Sequence, residues 1–404
     1  MYESDHDLDI QLEDGPLDQL YERGWLPADA EDREEYQLGG FHPVHIGDRF
    51  GTAGRFRVIH KLGRGGLATI IIADESGDES SGLRFANKEG LDFGEAGGEC
   101  VAVPHEHFWH DGPNGRHLCL VLPVLGPRVS ALWGTFKDPA RVSQDIALQR
   151  LFPANTVLSI YFRPSNILLR LTVFDDLSEH ELIDLFGEPN KEPLVTISGE
   201  RPAPSGPEYL VESLDLDCLP ARFISDQISI IDFGESYHIH SPPADLGITA
   251  SFRSPELLFD NTIGVGCDMW ALACTLYEVR TNSPLFENFM DDDEVIMQMV
   301  PLLGKLPEPW WSAWGARGRW YNEGATPLVD PETGRPYMLT DTLEELLSDG
   351  GSSSSLLLGD SAEGKKNRAG GFVVGIKESR VLGGLLRGIL KYDPEERMSV
   401  EAVL

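Results

Sequence analysis

Hydrophobic patterning changes character part-way along this chain, and that change narrows the folds open to it. Between Phe56 and Gly126 the apolar residues fall in short strand-like runs. FRVIHKLG and LATIIIAD flank a glycine-rich turn, RFANKE (84–89) is a weaker run, and HLCLVLPVLG (117–126) ends in a connector. The first two read as a hairpin. After residue 140 helical spacing takes over. CDMWALACTLYEVRT (267–281) is apolar all round, which predicts a buried helix. DEVIMQMVPLLGKLP (293–307) predicts a helix stopped by Gly and Pro, and a last helix is expected from Ser379 to Tyr392. A strand-rich segment followed by a helix-rich one implies an α+β protein with a small β-rich lobe and a larger helical lobe. The expected division is an acidic arm and lead-in at 1–54, disordered over most of 1–37, a first lobe at 55–122, a connector at 123–126 and a second lobe at 127–404. GGSSSSLLLGDSAEGKKNRAGG (350–371) is a low-complexity loop inside the second lobe.

Length and composition agree with this plan. The 404 residues exceed what one hydrophobic core usually spans. No apolar run approaches the length of a membrane span, and the acidic start MYESDHDLDIQLEDG is no signal peptide. The five cysteines show no CxxC spacing, which points to reduced thiols and a cytoplasmic or nuclear address. Cys119 and Cys274 lie in apolar runs and are expected in the core. The net charge of −33 argues against direct binding to nucleic acid or an anionic membrane. It favours a basic partner.

Four places could carry chemistry. In LGRGGLATI (62–70), Gly63, Gly65 and Gly66 would let a backbone approach a ligand and offer N–H groups to phosphate oxygens. By itself such a stretch is more often a plain turn. Lys88 follows on the next strand and could reach a phosphate as a point charge. Asp232 opens a tight DFG turn after the apolar ISII, where a carboxylate can hold a hard cation such as Mg²⁺. Asn166, beside the apolar ILLRL, could offer an amide oxygen to the same ion.

Taken in order, the glycine loop, Lys88, the connector, RPSN (163–166), DFG (232–234), SFRSPE (251–256), DMW (268–270) and DPEER (393–397) resemble the eukaryotic protein kinases over about residues 55–404. EEYQLGGFHPVHIGDRF, Arg253 and LLGKLP are similar to the serine/arginine-rich-protein-specific branch. The resemblance implies a bilobal kinase fold and a serine/threonine kinase that uses ATP and Mg²⁺ on basic Arg/Ser-rich proteins, acting as a monomer. It places Leu62, Gly63, Gly65, Gly66, Ala68, Ile70, Lys88, Pro123 and Leu125 around ATP. Ala68 stands where a third glycine is usual. Leu122 would lie behind the adenine, with the Pro123 carbonyl and the Leu125 N–H reading its edge. Asn166 and Asp232 would hold Mg²⁺. Glu256 would pair with Arg397, and Asp268 would anchor the loop that contains Arg163.

Three departures stand against full activity. The catalytic aspartate of the family falls at Tyr161, and its usual His at Ser159, while Arg163 keeps the loop's basic position. A phenol with a pKa of about 10 is a poor base at pH 7, and general-base help is typically worth about 10²–10⁴-fold. The segment EGLDFGEAGGECVAVP (89–104) is short and rich in glycine where the family has a helix with a lysine-pairing glutamate, so Glu95 and Glu99 lack a convincing helix. The helix begun by QDIALQRLF is also cut short at Pro153. A shifted exon boundary or a degenerating gene copy accounts for the two short segments as well as a selected loss of catalysis does. The resemblance thus leaves two readings, a weak kinase or an inactive pseudokinase that binds nucleotide or protein.

Overall fold

Alternating apolar side chains set the first sheet of the computed structural model, in which β1 (Arg49–Phe50), β2 (Phe56–Arg64) and β3 (Thr69–Glu75) pair antiparallel in that order. The structure describes residues 20–22, 30–65, 68–75, 84–85, 101–131, 158–159, 163–174, 176–202, 204–233, 236–238, 241–244, 246–288, 291–337, 342–348 and 376–403. A second sheet has the order β4 (Arg84–Phe85), β6 (Gly115–Pro123), β5 (Glu106–Gly112). The hairpin β5–β6 turns at Pro113-Asn114, with Gly115 at φ +119, a conformation that favours glycine. Phe50, Phe56, Val58, Ala73 and Val121 form the apolar cluster of these strands.

The chain divides into two compact units, 1–89 with 104–124 and 175–215, and 90–103 with 125–174 and 216–404. Residues 175–215, expected within the second lobe, cluster with the first unit. They hold α1 (Glu179–Phe186), started by a Ser178/Glu181 capping box, and a small hairpin of Lys191–Pro193 and Tyr209–Val211. Part of the expected disordered arm is also packed. Tyr21, Tyr36 and Phe41 are buried with Leu194 and Leu210, and the buried Lys61 Nζ donates to buried Glu31 Oε2 at 2.9 Å. Three aromatic anchors in an acidic stretch are enough to hold it. Residues 1–19 and 23–29 lie outside the described residues.

In the second unit a three-stranded sheet has the order Ile224–Ile230, Ile167–Leu171, Leu125–Arg128. A Cβ at Gly126 would fall 2.7 Å from Leu171 Cδ2 and 3.2 Å from the Leu169 carbonyl oxygen, so a larger residue there would have to push the Leu171 side chain aside. The helices follow as α2 (Pro255–Asp260), α3 (Val265–Thr281), α4 (Asp292–Leu303), a short turn at Trp310–Ala313, α5 (Leu343–Ser348) and α6 (Ile376–Ile389). α3 is buried on every side, as its apolar circumference predicts, and Trp270, Ala273 and Leu272 sit at the centre of the core. Cys274 is fully in that core, whereas Cys119 is only half-buried. The α+β architecture expected from the patterning is the one found. The 144–158 helix and the 350–371 loop lie outside the described residues, apart from the short strand Leu158–Ser159.

Candidate functional site

Each half of the expected site is built within one unit. In the first, β2 runs to Arg64 and β3 starts at Thr69, with Gly63 opposite Ile70. The Gly65 N–H donates to the Ala68 carbonyl at 2.7 Å and closes the turn. Neither Gly63 nor Gly65 has a positive φ, and a Cβ at Gly63 would meet nothing within 4 Å. Local packing therefore does not demand glycine at 63; open space above the backbone is what an approaching ligand would use. Leu62, Ala68 and Ile70 are half-buried around this turn. Pro123 ends β6 opposite Arg84. Gly66 and Lys88 lie outside the described residues, as do Glu95, Glu99 and Tyr161.

In the second unit, Leu125 is buried and paired with Arg170. Here the strands 167–171 and 224–230 bring the loop residues together. Ile167 pairs with Ile230, and the Ile231 N–H donates to the Asn166 carbonyl at 2.9 Å. That register sets Asn166 beside the turn that begins at Asp232. Pro164 fixes a 3₁₀ turn, and the Asn166 N–H donates to the Arg163 carbonyl at 2.9 Å. Asp232 has φ +65, a left-handed conformation that aspartate tolerates better than most residues.

Three side chains converge. Arg163 Nε donates to Asn166 Oδ1 at 2.9 Å, and Arg163 Nη2 lies 3.4 Å from Asp232 Oδ2. Asn166 is buried, and its Nδ2 has no hydrogen-bond partner among the described residues. An amide oxygen and a carboxylate within reach of one guanidinium are hard oxygen donors of the kind Mg²⁺ takes. The donor set therefore fits the ion that the loop pattern implies, with a positive side chain already on both oxygens.

Elsewhere in the second unit the expected Glu256–Arg397 pair is present. Arg397 Nη1 and Nη2 donate to Glu256 Oε1 and Oε2 at 2.7 and 2.6 Å, both side chains buried. Arg397 also donates to the Gly266 carbonyl at 2.7 Å and packs over Trp270. Gly266 leaves room for this, since a Cβ would sit 2.7 Å from Pro394 Cβ. Burial and the nearby Glu256 push the Cys267 thiol up to about 11, so it stays neutral. Asp268 is buried on α3.

Residues 222–404 match the protein kinase domain family model. Over that stretch the chain is similar to the protein kinases. It resembles the serine/threonine kinases of the serine/arginine-rich-protein-specific branch. The serine/threonine-protein kinase SRPK of Physarum polycephalum is 24% identical over 78% of this chain and 83% of its own length. Protein kinase dsk1 of Schizosaccharomyces pombe is 22% identical over 69% of this chain and 71% of its own. Serine/threonine-protein kinase AFC3 of Arabidopsis thaliana is 25% identical over 76% of this chain and 65% of its own. The chain also holds a group that its motif series does not foretell. His42 lies with ring centroids 4.8 Å from His110 and 5.1 Å from His117, and against Phe50. The only sequence signal for it is the wide scatter of histidines through β-type segments.

Proposed function

We propose that the chain binds ATP with Mg²⁺ and transfers phosphate weakly to serines of basic Arg/Ser-rich proteins. The observation that carries this reading is the convergence of Asn166 Oδ1 and Asp232 Oδ2, from two separate turns, on the Arg163 guanidinium. ATP with its metal supplies the phosphoryl group and neutralises its charge. The backbone at Gly63, Gly65 and Gly66 would cover phosphates, with Leu62, Ala68 and Ile70 beside them, and Lys88 would meet a phosphate charge. The Pro123 carbonyl and the Leu125 N–H would read the adenine edge, and Asn166 and Asp232 would take the ion. We assign 55–122 and 127–404 to the two kinase lobes, apart from 175–215, which clusters with the first unit, with 123–126 as the hinge and 1–54 as the lead-in. A basic partner suits the charge of −33. No described helix is long and apolar enough to cross a membrane; a cytoplasmic or nuclear, monomeric protein completes the reading.

Tyr161 makes the transfer slow, because a neutral phenol replaces the proton-accepting carboxylate. Positioning and electrostatics still contribute to phosphoryl transfer without it. The test is labelled phosphate transfer to an Arg-Ser-repeat peptide. Incorporation should exceed that of Asp232→Ala, and Tyr161→Asp should raise it by about 10²–10⁴-fold. No incorporation above the Asp232→Ala control in either protein overturns the proposal of transfer. The second reading, a pseudokinase, is favoured by Arg163 lying on both oxygens. It requires ATP to raise the melting temperature without turnover.

A further inference from the structure

We infer that the Arg163 guanidinium is a resident cation for the Asn166–Asp232 oxygen pair, so that a divalent ion must displace it to bind. The inference rests on the proposed use of these two oxygens as ligands, and it adds a competitor for them from the same chain.

The geometry is specific to this side chain. Nε reaches Asn166 Oδ1 at 2.9 Å while Nη2 of the same plane faces Asp232 Oδ2 at 3.4 Å. A planar fork can span two acceptors at once, which an ammonium cannot do with the same fixed geometry. The Asn166 amide presents its oxygen to Arg163 although this leaves its buried Nδ2 without a partner among the described residues. An unpaired buried donor is costly, so the amide orientation is explained by what the oxygen gains. The two acceptors are also held in place by the backbone, through the Ile231 N–H on the Asn166 carbonyl and the left-handed Asp232. Arginine keeps its charge at every pH of interest. Mg²⁺ needs near-octahedral oxygens at about 2.0–2.1 Å and gives up water reluctantly. A divalent ion drawing on these two atoms therefore competes with, and is repelled by, the guanidinium hydrogen-bonded to both.

The competition is moderate. The Arg163 and Asp232 side chains are 34% and 47% exposed, so solvent screens their attraction. Removing the guanidinium should tighten divalent-ion binding by about 3–10-fold, from the lost competitor and the lost like charge.

The experiment is a Mn²⁺ titration of the full chain followed by electron paramagnetic resonance. An acidic chain binds Mn²⁺ at many places, so only binding lost in Asp232→Ala is counted. Arg163→Ala should bind this Mn²⁺ about 3–10-fold more tightly than the wild type, and Arg163→Lys should fall between them. Circular dichroism establishes that each variant is folded, and Arg163→Gln replaces Arg163→Ala if the latter is not. Equal or weaker Mn²⁺ binding without the guanidinium, including none in either protein, overturns the inference. A parallel thermal-shift titration with ATP and EDTA tests the nucleotide reading separately. An absent ATP shift beside tighter Mn²⁺ binding in Arg163→Ala would sink that reading and leave the competition standing.

Discussion

At the scale of single residues, His42 shows how burial turns a common side chain into a pH-dependent one. Its ring Nδ1 is buried without a partner among the described residues, and the ring lies against the backbone at Gly112, where a Cβ would collide with it. Burial, then the neighbouring His110 and His117, pushes its pKa down to about 4, opposed by Asp48. The unfolded imidazole takes a proton near its ordinary value of about 6.5. Between those values the unfolded chain binds the extra proton, so stability is full above pH 6.5 and falls as the pH drops toward about 4. Urea midpoints measured across that window should fall with acid, and His42→Gln should flatten the slope. Arg163 teaches a related lesson at this scale. RPSN marks a loop residue in the sequence, but which oxygens the guanidinium meets depends on strands that are far apart in the chain.

At the scale of elements, the ion pair of Glu256 with Arg397 ties the start of α2 to the segment after α6. Both side chains are buried, and the fork donates to both carboxylate oxygens. Removing one partner leaves an uncompensated buried charge, which typically costs about 3–5 kcal/mol. Glu256→Ala should lower the urea midpoint accordingly, whereas a change at the exposed Arg380 should leave it nearly unmoved. α3, α4 and α6 were legible because their apolar spacing is strong and their ends carry stop signals; α4 ends at Gly304, where the sequence places the break. β5 was not legible as a strand. Its residues are mostly exposed, so HFWHDG shows little of the alternation that burial imposes, and only pairing with β6 reveals it. α1 does carry a usable sign, the Ser178…Glu181 capping box, but no long apolar run follows it.

At the scale of the whole molecule, charge dominates. A net charge of −33 repels itself in the compact state. Raising salt to about 0.15 M shortens the screening length to about 8 Å. The melting temperature should then rise by about 2–4 °C relative to low salt, the shift that ~1 kcal/mol makes in domains of about 150–250 residues. A flat or falling melting temperature in a sodium chloride series would show that repulsion is not limiting. The sequence by itself determined the α+β plan, the buried α3 and the ordered motif series, because periodicity and turn residues are local properties of the chain. The motif resemblance adds the expectation, not a finding, that Tyr161 stands where a carboxylate is usual. Only the tertiary structure decided that the acidic stretch around Tyr36 packs, that 175–215 joins the first unit, and that Arg163 lies on Asn166 and Asp232. Those outcomes come from contacts between residues distant in sequence, where burial and strand register choose among partners that local patterning leaves equivalent.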